Sequence, residues 1–197
     1  MESSDVLILA SGSPRRRDLL KDLELRFQVL PALGDGPASS ADPAIRVMGH
    51  ARHKAEEVAA LHPGRWVLGA DTLVHASGRF LPKPSDREDA ASMIRHLVAV
   101  GTHQVWTGSC LIGPDGTLWE RADASEVRFD AIPETALQTY LDGQEWCDKA
   151  GAYAIQGWAG GYAQVLDGAL DNVVGLSKHA VLALFQSAAL PPDAFRR

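Results

Sequence analysis

Apolar and polar positions follow one another in blocks whose periods distinguish strands from helices. The apolar run Val6–Ala10 predicts a buried strand, and the small residues Ser11-Gly12-Ser13 end it. Ser13 is a good N-cap and Pro14 suits the first position of a helix, so a helix is expected next. The run Trp66–Val74 gives the strongest strand signal in the sequence.

A second strand at Phe27–Pro31 precedes a polar loop, Ala32–Ala41. A long helix is predicted from Asp42-Pro43 to about Leu61, because Asp is a preferred N-cap and Pro fits the first turn. This helix is expected to turn one apolar face inward, formed by Ile45, Met48, Ala55, Val58 and Ala59.

The later part of the chain predicts hairpins and short helices. Ser85 and Glu88 form a candidate capping box that opens a helix. Two strands, a glycine–proline turn and two further helices are expected at His103–Ile112, Leu118–Phe129, Gly113–Gly116, Pro133–Leu141 and Ser177–Ala188. Because strands and helices alternate early and hairpins come late, the favoured fold is α/β with a mixed sheet. No hard boundary is visible, so residues 1–197 are taken as a single domain.

Composition narrows the class of protein. The 197 residues are 46% hydrophobic and 22% charged, with a formal net charge of −6. An acidic chain is a poor candidate for sequence-independent nucleic-acid binding. We expect no membrane span or secretory signal, and Cys110 and Cys147 lack metal-ligand spacing. These features predict a reduced cytoplasmic protein, whose few cations must be concentrated locally if it binds a polyanion.

Three arginines, Arg15, Arg16 and Arg17, fall in the first turn of the predicted first helix. Cations in the first turn are unfavourable beside the positive end of the helix dipole. The free backbone N–H groups of that turn add to the positive potential. An anion such as phosphate would balance both. Three solvated arginines on a surface helix remain the alternative.

Asp71 ends or interrupts the apolar strand that begins at Trp66. A carboxylate set into a buried strand needs a cation, a metal ion or hydrogen-bond donors. Mg²⁺ is one such partner, since it prefers one or two carboxylates together with substrate phosphates. The competing interpretation is an aspartate that caps a turn through Thr72.

Two lysines and one glycine-rich loop complete the candidate chemistry. Lys54 lies on the long predicted helix, and Lys83 stands between two prolines that restrict its backbone. The loop Lys149–Gly157 permits close backbone approach to a ligand, and Gln156 offers one acceptor and two donors. Taken singly, each of these signals is weak.

His50 and His53 are interpreted as solvated, although they can share a helix face.

In this order the segments resemble the Maf family, also described as septum-formation-inhibitor-like proteins. The resemblance rests on LILASGSPRRRDLL, HKAEEVA, VLGADTLV, LPKPSD, DKAGAYAIQGWAG and NVVGL, and it spans nearly the whole chain. It implies an elongated α/β fold with two lobes around a nucleotide-binding cleft. It also implies a homodimer and a nucleoside triphosphate pyrophosphatase that needs a divalent metal, Mg²⁺ or Mn²⁺.

The resemblance also implies roles for individual residues. AYAIQG and NVVGL are similar to the branch that acts on dTTP and UTP. Asp71, as the proposed base, and Lys83 match catalytic positions, and Asp71 with Asp35 matches the metal site. The pattern leaves open whether Asp71 acts as base, as metal ligand or as both. The positions matching substrate binding or specificity are Ser11, Arg15, Arg16, Lys54, Thr72 and Gln156.

One departure from the family pattern concerns the metal site. The family usually carries an acidic pair in the loop after the second strand, whereas this chain has Asp35 followed by Gly36. The rival hypothesis is therefore a nucleotide-binding regulator of cell division whose turnover has been weakened.

Overall fold

A computed structural model describes residues 6–37, 40–191 and 193–196. Within these residues the chain forms seven strands and six α-helices. In chain order they are β1 Leu7–Leu9, α1 Pro14–Asp22, β2 Phe27–Val29, α2 Pro43–Leu61, β3 Val67–Ala76, β4 Arg79–Leu81, α3 Arg87–Val100, β5 Thr102–Ile112, β6 Leu118–Phe129, α4 Glu134–Leu141, β7 Ala163–Asp167, α5 Leu170–Val174 and α6 Lys178–Ser187.

The strands form one mixed sheet in the order β2-β1-β3-β5-β6-β7, and β4 pairs with β3. β1 runs parallel to β2 and to β3, as the helical crossovers α1 and α2 require. β4 is antiparallel to β3, and β7 is antiparallel to β6. The predicted α/β class with a mixed sheet is confirmed.

The chain divides into two compact units. Unit 1 comprises the described residues of Met1–Asp71, Thr107–Asp123 and Gly175–Arg197, and unit 2 comprises Thr72–Trp106 and Ala124–Val174. Strands β3, β5 and β6 contribute residues to both units. The prediction of a single domain over residues 1–197 stays a prediction.

In unit 1, the long helix α2 packs very closely on β3 and β5. A Cβ atom at Gly69 of β3 would overlap the carbonyl oxygen of Ala51, and one at Gly108 of β5 would lie 2.5 Å from the carbonyl oxygen of Val47. Only glycine permits this approach of helix and sheet backbones. Apolar residues fill the surrounding core: Ile8, Ala10, Ala51, Ala55, Val58, Val67, Cys110 and Ile112.

The predicted inward face of α2 was partly wrong. Ala55 and Val58 are buried, but Ile45 is 53% exposed and Met48 and Ala59 are only half-buried. The buried stripe includes two polar side chains, His50 and Lys54, together with Val47 and Ala51. The pattern of apolar positions alone gives the wrong helix phase here, because two polar residues occupy the packed face.

Unit 2 has its own core, in which α3 and α4 pack with parts of β3, β5 and β6. The predicted capping box at the start of α3 is displaced by one residue. Asp86, rather than Ser85, is the N-cap, and its side chain accepts a hydrogen bond from the backbone of Asp89. Asp89 in turn accepts one from the backbone N–H of Ser85 at 2.9 Å. The shift occurs because aspartate caps as well as serine does.

Most other predicted elements are confirmed within one to two residues. The side chains of Ser13, Asp42 and Ser177 cap α1, α2 and α6, as their positions before Pro14, Pro43 and Lys178 indicate. The turn that joins β5 to β6 is closed by a 3.0 Å hydrogen bond from Gly116 to Gly113. Among the residues that the structure describes, no helix is both long enough and apolar enough to cross a bilayer.

Candidate active site

The carboxylate of Asp71, on β3, is buried and is held by two side chains of α2. Lys54 Nζ lies 2.6 Å from Asp71 Oδ1, and His50 Nδ1 lies 3.1 Å from Oδ2. His50 and Lys54 are one helical turn apart, so they share a face of the helix. The close approach of α2 to β3 at Gly69 brings that face to Asp71. The predicted partner of the buried carboxylate is therefore present.

Asp35 joins this group from the loop after β2. Its Oδ1 also lies 2.6 Å from Lys54 Nζ, although its side chain is more than half exposed. The loop is tied to α2, because the backbone N–H of Leu33 donates to Glu57 Oε1 at 2.9 Å. Lys54 therefore bridges two carboxylates, and its single positive charge offsets only one of their two negative charges.

Gly36 adopts φ +73°, a conformation that side chains other than glycine rarely take. A Cβ atom there would lie 2.5 Å from Cγ of His53. The family's usual glutamate does not fit this loop without a shift of His53 and strain in the backbone. The local backbone conformation therefore favours glycine at position 36, where the family usually carries glutamate.

Asp71 remains ionised despite its burial. Burial by itself raises the pKa of Asp71, but the hydrogen bond from His50, the charges of Lys54 and Arg16, and the hydrogen bond from Lys54 together lower it to about 2. Near neutral pH the site therefore contains a fixed anion surrounded by donors and cations.

Arg16 is buried at the start of α1 and is fixed by two acceptors. Its Nε donates to the backbone carbonyl of Gly175 at 2.8 Å, and one terminal nitrogen donates to Ser11 Oγ at 2.9 Å. Burial lowers the pKa of Arg16, and the charge of Asp71 opposes that shift. Ser11 thus orients the arginine from the turn that follows β1.

The neighbouring arginines have different environments, as the step of about 100° between helical residues predicts. Arg15 is half-buried, whereas Arg17 is exposed and lies 3.7 Å from Asp18. Of the three, the structure brings Arg16 into the Asp71 environment.

The residues present fit a divalent cation that is bound together with its substrate. Asp35 and Asp71 supply two nearby carboxylates, and Mg²⁺ commonly takes one or two carboxylates plus substrate phosphates. No group of three or more His, Cys, Asp or Glu side chains suitable for a metal occurs within residues 6–37, 40–191 and 193–196. Two carboxylates would leave the remaining positions of such a cation to phosphate oxygens.

The remaining predicted site residues lie in unit 2. Thr72 is half-buried, Lys83 is exposed in the loop after β4, and Gln156 is exposed in a loop between two 3₁₀ turns. Their convergence with the Asp71 group stays a prediction.

The loop that carries Gln156 is anchored on both sides. On one side, Tyr153 is buried and its hydroxyl lies 2.7 Å from Nε2 of His103. On the other side, Trp158 stacks on Tyr140 with ring centroids 4.1 Å apart. A 3.0 Å hydrogen bond from Gly157 to Ala154 closes the turn around Gln156. This geometry places the glutamine at the tip of a constrained loop.

Two contacts of the site were missed from the sequence. His50 was interpreted as solvated, but it is buried against Asp71, and its spacing of four residues from Lys54 was the available signal. The Gly175 carbonyl that holds Arg16 carries no side-chain signal at all.

The fold and this geometry define a class: a mixed α/β protein with a buried carboxylate beside fixed cations, which is suited to a phosphorylated substrate. The Maf-like protein family profile matches residues 6–188. The chain therefore belongs to the Maf-like protein family, as the resemblance predicted.

Named relatives cover nearly all of the chain. A dTTP/UTP pyrophosphatase from Myxococcus xanthus is 43% identical over 188 residues, covering 94% of each chain. One from Rhodospirillum rubrum is 40% identical, covering 96% of this chain and 91% of the relative. A solved nucleoside-triphosphatase / dITP/XTP pyrophosphatase from Mycobacterium abscessus is a distant likeness, 18% identical with a TM-score of 0.47, and covers 94% of this chain and 98% of its own.

Proposed function

We propose that the chain is a nucleoside triphosphate pyrophosphatase that hydrolyses dTTP and UTP to the monophosphate and pyrophosphate. The observation that carries the proposal is the buried Asp71, held among Lys54, His50 and Arg16 in a chain whose relatives are named dTTP/UTP pyrophosphatase. The weakened-regulator alternative is not favoured, because those relatives are named as enzymes and Asp35 still reaches the same lysine as Asp71.

The charge of the substrate explains the cations. A metal-free triphosphate carries about four negative charges at neutral pH, and attack at the α-phosphorus builds further charge on the leaving pyrophosphate. Arg16 is held in place before the substrate arrives, so it need not be reorganised during the reaction. We assign Arg16, Lys54 and Lys83 to the phosphates, with Ser11 orienting Arg16.

In the substrate-free chain Asp71 is ionised, because its neighbours lower its pKa to about 2. We assign its carboxylate to hold the metal, to take a proton from the attacking water, or to do both. It is well suited to hold a cation or to orient the attacking water by accepting its hydrogen. A divalent cation, Mg²⁺ or Mn²⁺, held by Asp71, Asp35 and phosphate oxygens would neutralise charge on the triphosphate.

Gln156 is proposed to select the base. Uracil and thymine present an N3–H donor flanked by carbonyl acceptors, which one glutamine amide can match. Cytosine reverses part of this pattern, so a freely rotating glutamine would accept it as well. The anchors at Tyr153 and Trp158 support a fixed orientation of the loop. We assign Arg15 and Thr72 to the same specificity region on the family resemblance.

We further propose a cytoplasmic homodimer that binds neither nucleic acid nor membranes. The net charge of −6 and the two cysteines without a disulfide support this environment, and the family resemblance supports the dimer. Light scattering on the purified chain tests the dimer, since a mass equal to one chain would contradict it.

The chemistry is tested by separating the products of dTTP incubated with the purified chain and Mg²⁺. We expect dTMP and pyrophosphate in equal amounts, and little product when EDTA replaces the metal. Release of dTDP and orthophosphate would contradict attack at the α-phosphorus. Equal turnover in EDTA would reject the metal while leaving the reaction in place.

A further inference from the structure

His50 contacts Asp71 from the buried face of α2 and has no role among the residues assigned above. Its Nδ1 lies 3.1 Å from Asp71 Oδ2, while Lys54 Nζ lies 2.6 Å from the other oxygen, Oδ1. The two oxygens of one carboxylate are therefore held by different side chains of one helix. Two such restraints fix both the position of the carboxylate and the rotation of its plane.

The direction of the hydrogen bond follows from the charge of Asp71. An aspartate carboxylate at neutral pH carries no hydrogen and only accepts hydrogen bonds, so in this 3.1 Å contact the hydrogen lies on Nδ1 and the histidine donates. Lys54 is shared with Asp35 at the same distance, and any movement of that exposed loop acts on Lys54 as well. Within the part of the chain that the structure describes, His50 pairs with no second carboxylate, and its bond is directed at Asp71 alone.

The other ring nitrogen shows that this placement carries a cost. His50 Nε2 is buried and makes no hydrogen bond with any of the residues that the structure describes. An unsatisfied buried polar atom typically costs about 1–3 kcal/mol. Leucine would fill a comparable volume at the helix–sheet contact without that cost. Packing alone therefore does not account for a histidine at this position, whereas the bond to Asp71 does.

We propose that His50 is a positioning residue that aligns the Asp71 carboxylate for the reaction. The inference rests on the proposed function, because it acts through Asp71. Groups that orient the ligands of a metal site, as Asp71 is proposed to be, typically change metal affinity or activity by about 10–100-fold when they are removed. Since Arg16 is held by Ser11 and by the Gly175 carbonyl, the loss of His50 should affect turnover much more than substrate binding.

The test uses three substitutions that separate the hydrogen bond from the packing. In His50→Asn, the amide nitrogen occupies nearly the place of Nδ1 and preserves the donor. In His50→Gln, the amide lies farther out, close to the place of Nε2, and in His50→Leu the donor is removed. His53→Leu is the matched control, because it is the same change on the same helix at a half-exposed residue that pairs with Glu57.

We expect His50→Leu and His50→Gln to lower kcat for dTTP by at least about tenfold. KM, and the Kd for dTTP measured by calorimetry in EDTA, should stay within about threefold of wild type. His50→Asn and His53→Leu should keep kcat within about threefold. Thermal unfolding of each variant identifies any that fail to fold, and the Asn and Gln pair still decides the question if Leu is one of them.

Equal loss of kcat in His50→Asn and His50→Gln would overturn the proposal, since only packing would then matter. Wild-type kcat in a folded His50→Gln or His50→Leu variant would overturn it too. A wild-type chain that binds dTTP but releases no pyrophosphate would instead reject the proposed function. The two failures are thus distinguishable.

Discussion

Both units bury polar groups, but the carboxylate buried in unit 1 is charged whereas the pair buried in unit 2 is neutral. In unit 1, Asp71 is ionised and is surrounded by Lys54, His50 and Arg16. In unit 2, His103 and Tyr153 form a buried neutral pair, because burial lowers the pKa of His103 to about 4 and raises that of Tyr153. A charged cluster can exchange partners with a polyanion, whereas a neutral hydrogen bond mainly stiffens the loop that contains it.

This difference in charge corresponds to the two proposed roles, phosphate chemistry at the Asp71 cluster and base selection at the Gln156 loop. The ionised cluster supplies the charge that phosphate chemistry needs and is assembled before any substrate binds. The neutral pair supplies no charge, but it anchors the loop that carries Gln156, the residue proposed to select the base. Changes in unit 1 should therefore alter rates, and changes at the pair should alter selectivity or stability.

The largest effect is expected for Asp71→Asn. Asparagine keeps the size of the side chain but removes the negative charge, so we expect kcat for dTTP to fall by roughly a thousandfold or more. The control is Asp18→Asn, at an exposed residue that pairs with Lys21 on the surface of α1. Near-wild-type turnover in a folded Asp71→Asn variant would remove Asp71 from the reaction.

The neutral pair in unit 2 predicts a pH dependence of stability. The unfolded chain protonates His103 near pH 6.5, whereas the folded chain does so near pH 4. Between these values the unfolded state binds more protons, so lowering the pH from 6.5 to 4 should remove at most about 3 kcal/mol of stability through this residue. Denaturant titrations of wild type and His103→Gln should show a flatter pH dependence in the variant. Identical slopes would mean that His103 is not buried in its neutral form.

Arg16 and Arg17 offer a direct comparison within one helical turn. Arg16→Ala should reduce kcat/KM for dTTP by roughly tenfold, about 1.4 kcal/mol, because a fixed phosphate contact is lost. Arg17→Ala should change it by less than about twofold, since Arg17 is exposed and paired with Asp18. Equal losses in the two variants would contradict the orientation of α1 toward the site.

The smallest effect is expected for Tyr153→Phe. Removing the hydroxyl frees the Gln156 loop from His103 without changing unit 1, so the ratio of kcat/KM for UTP to that for CTP should fall by about threefold to tenfold. The kcat for UTP should stay within about threefold of wild type. A uniform fall for both nucleotides would show that the pair supports turnover rather than selection.

The sequence predicted the α/β class, the caps of α1 and α2, and the segments that carry Asp71, Lys54 and Arg16. Local rules suffice there, because a cap or a buried strand depends on neighbouring residues. Ile45 was predicted on the inward face of α2 but is exposed. The inward face instead buries His50 and Lys54, which contact Asp71. The polar residues that contact Asp71 are set by how closely α2 approaches β3 at Gly69. The local sequence pattern does not encode that distance between helix and strand.

The roles assigned to Thr72, Lys83 and Gln156 rest on the family pattern. A nucleotide panel tests the central claim, hydrolysis of UTP and dTTP in preference to other nucleotides, most directly. Pyrophosphate release should be measured as kcat/KM for UTP, dTTP, CTP, ATP and GTP with Mg²⁺. We predict values for UTP and dTTP within about threefold of each other, because the 5-methyl group adds only a small apolar contribution. The other three should be lower by about tenfold or more, because their base edges do not match a glutamine amide held in one orientation. A preference for a purine triphosphate would contradict the account.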